Sequence, residues 1–106
     1  MKITEVKIFS VNEERLKAYV TITIEGCFVV RDLKIIQGPG GLFVAMPSKK
    51  RKDGQFRDIA HPLNQETREK LEDRIFEAYE NELRSMGATL TNLKRQKAPQ
   101  SYQGDD

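Results

Sequence analysis

The chain has 106 residues, 38% hydrophobic and 32% charged, with a formal net charge of +2. That length predicts one domain with a small core, and the near balance of charge excludes a polypeptide that coats nucleic acid by bulk basicity. No apolar run approaches the roughly 20 residues of a membrane-spanning helix, the opening Met-Lys-Ile-Thr-Glu lacks a signal-peptide pattern, and the one cysteine, Cys27, can form no internal disulfide, so a cytoplasmic setting is expected.

The first half reads as strands. "EVKIFSV" alternates, with Val6 and Ile8 on one side and Phe9 and Val11 on the other, and the polar "NEE" at 12–14 suits a turn. In "RLKAYVTITIE", Leu16, Ala18, Val20, Ile22 and Ile24 share one face while Arg15, Lys17, Tyr19, Thr21, Thr23 and Glu25 share the other. Such a period of two means a strand with one buried and one wet side. Gly26 breaks it. "CFVVRDLKII" predicts a third strand in which Cys27 is a core residue and Arg31-Asp32 marks a bulge or an exposed stretch. "QGPGG" at 37–41 is a turn by its chemistry, "LFVAM" a fourth strand, and "QFRDIA" a fifth, in which Phe56 is expected to point into the core.

After Pro62 the period changes. Asn64 suits an N-cap, Glu66 suits the first turn, and Leu71, Ile75, Ala78, Tyr79, Leu83 and Met86 recur at spacings of three and four, with Phe76 widening the stripe. Gly87 suits the position after the last turn. The helix would be about 33 Å long at 1.5 Å per residue. That is long for so small a sheet, so part of it is expected to pack on a second subunit. The architecture read from this order is α+β: an antiparallel meander of about five strands followed by one long amphipathic helix. Residues 1–87 form the domain, and the polar segment 88–106 reads as a flexible tail.

Few residues point to covalent chemistry. His61 stands alone at a chain reversal and reads as structural; with Cys27 it makes no zinc spacing. "GPGG" leads into a strand instead of a helix, so it is a turn and not a phosphate cradle. Neither an enzyme nor a cofactor, metal or small-molecule substrate is expected. Charge is the informative signal. Residues 47–63 carry five cations against two anions, whereas 64–87 carry four against seven. Lys49, Lys50, Arg51, Lys52 and Arg57 flank the turn dipeptide Asp53-Gly54 on the connection between strands four and five. Point charges and forked guanidinium groups suit phosphate contacts. With Phe56 assigned to the core, no aromatic is interleaved, which argues against a stacking platform for single strands and for backbone contact.

The string "GLFVAMPSKKRKDGQFRDIAHPLN", together with "MKITEVKI", "CFVVRDLKIIQG" and "HPLNQETREKLE", resembles the stage V sporulation protein G (SpoVG) family over roughly residues 1–85. The resemblance implies a small α+β bacterial regulator that is cytoplasmic and homodimeric. It would bind DNA, and in some members RNA, with links to septation, cell division, sporulation and the control of transcription. It also implies nucleic-acid contacts at Lys49, Lys50, Arg51, Lys52 and Arg57, with Arg68 and Lys70 at the start of the helix as further candidates. The competing class is a protein-interaction module in division-septum control, using the acidic helix and the sheet edges in place of direct nucleic-acid binding.

Overall fold

The computed structural model describes residues 1–87 and 94–98. Strands β1 (Ile3–Ser10), β2 (Leu16–Ile24), β3 (Phe28–Gly38) and β4 (Gly41–Ala45) form an antiparallel sheet in that order. Two short strands, β5 (Ser48–Lys50) and β6 (Phe56–Asp58), pair only with each other, and helix α1 (Gln65–Ser85) follows. The architecture is α+β, as the periodicities predict. The fifth strand does not extend the main meander, however. It pairs with residues expected to be loop, so a separate ribbon stands off the four-stranded sheet.

Register explains the core. Ile8 pairs with Val20 and Val20 with Leu33, while Ala18 pairs with Ile35 and Ile35 with Val44. Directly opposed residues share a face, so these side chains collect on one side of the sheet. There they meet Leu71, Ile75, Phe76 and Tyr79 of α1 in a single buried cluster. The stripe from Leu71 to Tyr79 is thus covered by the chain's own sheet, while Leu83 is partly buried and Met86 at its end is exposed. Asn64 caps the helix, its side chain accepting from the Thr67 N–H at 2.7 Å.

The strand order also fixes two local irregularities. Between the pairs Val20–Leu33 and Ile22–Val30, β3 contains one more residue than β2. Arg31 and Asp32 supply that bulge, with Asp32 at φ 66°. The β2–β3 turn is tight, with Glu25 at φ 54°, Gly26 at φ 66° and the Cys27 N–H donating to the Ile24 carbonyl at 3.0 Å. Cys27 is therefore an exposed turn residue and not a core one. The turn uses up the residue that periodicity placed at the start of β3.

Of the segment 88–106 read as a flexible tail, residues 94–98 run along the sheet edge, and 88–93 and 99–106 lie outside the described residues. Arg95 makes a parallel bridge with Leu42 on the outer edge of β4. The Leu42 N–H donates to the Lys94 carbonyl at 2.7 Å, and the Gln96 N–H donates to the Leu42 carbonyl at 2.8 Å. Gln96 Oε1 accepts from the Gly40 N–H at 2.7 Å. The Arg95 guanidinium lies 4.3 Å from the Phe76 ring centroid and bonds Asp73 at 3.0 Å. A side chain on Gly41 would come within 2.7 Å of the Lys94 carbonyl oxygen, so the close approach requires glycine there.

Two measurements test this account. Asn64→Ala should cost about 1 kcal/mol in urea unfolding, the usual worth of an N-cap. Gln96→Pro removes the N–H that bonds Leu42 and the amide that bonds Gly40. Hydrogen exchange at the Leu42 and Gly40 amides should then accelerate by about tenfold or more, with the α1 amides around Ile75 unchanged. Unaltered exchange at Leu42 would mean that the segment does not hold this edge.

Candidate nucleic-acid interface

The basic segment is built by a hairpin. Ser48 pairs with Asp58, Lys49 with Arg57 and Lys50 with Phe56. At the tip the Arg51 N–H donates to the Gln55 carbonyl at 2.7 Å and the Gly54 N–H to the Arg51 carbonyl at 3.0 Å. Asp53 Oδ1 accepts from the Gln55 N–H at 3.0 Å. Gly54, at φ 88°, takes the left-handed position that closes this kind of three-residue loop. Asp53 is thus engaged in shaping the turn beside the cations. At the root, the Ile59 N–H donates to the Pro47 carbonyl at 2.8 Å and ties the ribbon to the end of β4.

Lys49, Lys50, Arg51 and Lys52 are exposed along one arm and the tip, and Arg57 is half-buried on the other arm. The two ribbon faces differ. Lys49 and Arg57 oppose each other on one face, while Lys50 and Phe56 oppose each other on the other. Phe56 is 65% exposed, which overturns its assignment to the core. No helix covers the ribbon, so a strand-like pattern here does not imply burial.

The two helix candidates separate. Lys70 is on the exposed side of α1 and pairs with Glu66 at 3.2 Å. Arg68 is only 7% exposed and lies 3.6 Å from Glu72. It faces the protein interior. Its position follows from the helical repeat, which puts residue 68 on the same side as Leu71 and Ile75.

Arg68 instead balances charge beneath the ribbon. Burial raises the Asp58 carboxyl above its ordinary 3.8, opposed by the positive fields of His61 and Arg68, and Asp58 Oδ2 is buried without a hydrogen bond. Burial likewise raises Glu72 above 4.5, outweighing Arg68 and Arg95. His61 Nδ1 lies 3.0 Å from the Pro62 carbonyl, a contact that requires the proton on Nδ1. Among the described residues, no group of three or more His, Cys, Asp or Glu is placed to hold a metal ion, and no helix is long and apolar enough to cross a membrane.

The SpoVG sequence profile matches residues 1–81. The chain belongs to the SpoVG family. Several relatives carry the name "Putative septation protein SpoVG". That of Bdellovibrio bacteriovorus is 77% identical over 106 residues, covering 100% of this chain and 98% of the relative. That of Anaeromyxobacter sp. strain K is 65% identical over 88 residues, covering 83% and 87%. That of Myxococcus xanthus is 58% identical over 90 residues, covering 85% and 91%. The SpoVG match therefore contains the sheet, the basic ribbon and most of α1, while the Lys94–Ala98 segment lies beyond it.

The buried carboxyls give a prediction with a definite sign. Asp58 and Glu72 hold protons more tightly folded than unfolded, so their contribution is present below 3.8 and 4.5 and is lost as pH rises through the folded values. Glu72→Gln should flatten the fall in stability as pH rises above 4.5. Urea midpoints across that range, wild type beside variant, measure it. A steeper fall in the variant would contradict the burial account.

Proposed function

We propose that this SpoVG-family chain is a cytoplasmic regulator that acts by binding a nucleic-acid backbone through the β5–β6 ribbon, and not by catalysis. The observation that carries the reading is the ribbon itself: a two-stranded element outside the main sheet that bears five cations against two anions, Asp53 engaged in the turn and Asp58 half-buried at the root. Concentrated positive charge on a protruding element suits a polyanion, because neutralised phosphates release counterions. Arg68 is no part of this surface, and Lys70 would add to it only by leaving Glu66. The printed names of the relatives tie the role to septation.

A second reading has its own support. Beside the ribbon root is an apolar hollow of about 340 Å³, lined by Ile24, Val30, Met46, Pro47, Ala60 and Leu63 among others. Leu63, in its lining, is exposed. A protein partner in division control would use this hollow and not the cations. A homodimer is also part of the proposal, resting on the β1 edge of the sheet, which no other described strand pairs. Sedimentation at micromolar concentration should show a species of twice 12.2 kDa.

The test is fluorescence anisotropy with DNA and RNA at several salt concentrations. Lys50→Ala with Arg51→Ala should weaken binding to every sequence. It should also flatten the log K against log salt slope by about 2 per bound chain, near 0.9 per lost contact. Folding stability should change by less than about 0.5 kcal/mol, since both side chains are exposed. Equal slopes and affinities for the two proteins would leave the cations as solvated charge and favour the apolar hollow.

A further inference from the structure

We infer that Phe56 and Lys50 form a stacking site for an unpaired nucleobase, so that the ribbon prefers single-stranded to duplex nucleic acid. This rests on the polyanion reading above. Phe56 is an aromatic ring on the ribbon with 65% of its surface exposed. Leaving it in water forgoes much of the stabilisation that burying such a side chain provides, so it contributes little to folding. A two-stranded ribbon is itself marginal without a covered face.

Register supplies the second observation. Phe56 is directly opposite Lys50, so ring and ammonium project from the same face, next to Arg51 and Lys52 at the tip. A base stacked on the ring would leave its own and its neighbour's phosphate among those cations. The opposite face, with Lys49 and Arg57, offers charge without an aromatic. A phenyl ring has no hydrogen-bonding group, so this contact would accept any base. In a duplex the base faces are already stacked and the ring could reach them only by unstacking a step, at an energetic cost. In a single strand they are free.

Phe56→Ala, Phe56→Leu and Phe56→Trp test this in the full-length protein, with a 12-nucleotide oligo-dT, its abasic analogue and a duplex of equal length as probes. Phe56→Ala and Phe56→Leu should lose about 5- to 100-fold in affinity for oligo-dT. Their duplex affinity should change less than about twofold, and their salt slopes should hold. Wild type should bind the abasic strand as weakly as Phe56→Ala binds oligo-dT. Phe56→Trp should keep the affinity. Because the sequence contains no tryptophan, its fluorescence should report stacking directly by quenching. Thermal unfolding midpoints should stay together, because the ring is exposed. Full oligo-dT affinity in Phe56→Ala or Phe56→Leu, or an equal loss on single strand and duplex, would overturn the stacking site and leave the cationic ribbon standing. Failure of wild type to bind any probe at low salt would overturn both.

Discussion

The packing of one helical stripe on one sheet face is the contact on which the rest of the molecule depends. Ile75 and its neighbours Leu71, Phe76 and Tyr79 meet the side chains that β2, β3 and β4 present from alternate positions. Each partner is amphipathic, and neither can bury its apolar side alone. A chain of this size has material for only one such layer. Once α1 covers the four-stranded sheet, nothing remains to cover a fifth and sixth strand. The outer part of the β5–β6 ribbon, with Lys49 to Lys52 and Phe56, is therefore left toward water.

The junction between ribbon and helix shows how the exposed element is held. Pro47 and Ile59 continue the backbone pairing at the root. Below them, Asp58, His61, Arg68 and Glu72 bring ionisable groups into partial burial. The Arg68 charge opposes the desolvation that raises both carboxyls. That role uses the guanidinium inside the protein. Arginine thus does two jobs in this chain: Arg51 faces solvent at the tip, and Arg68 supports the corner that aims the ribbon.

The Lys94–Ala98 segment addresses a different problem. An open β4 edge offers backbone groups to any passing strand. One bridge, two flanking backbone hydrogen bonds and the Gln96 amide occupy that edge around Leu42. Arg95 reaches across to the helix, where its cation–π contact with Phe76 and its pairing with Asp73 link the edge to the core layer. The segment joins the two layers at a place where they would otherwise end.

Much of this was legible in the sequence because local chemistry decided it. The alternation of β2 decided which side faces the core, the Arg31-Asp32 bulge fell where the pattern faltered, and Asn64 began the helix because its side chain can bond Thr67. The cationic run with Asp53-Gly54 likewise announced an exposed hairpin. What the sequence could not decide was cover. Phe56 and Cys27 are apolar residues in strand-like runs; no helix reaches Phe56, and the β2–β3 turn takes Cys27, so neither is buried. Arg68 looks like any helical cation until the helix is rotated onto its sheet. Gln96 carries no local pattern, and its place beside Gly40 arises from contacts 56 residues apart. Periodicity and turn chemistry act over a few residues and so can be read from them. Burial, edge pairing and the choice of exposed aromatic depend on which surfaces are already occupied, and only the tertiary structure decides that.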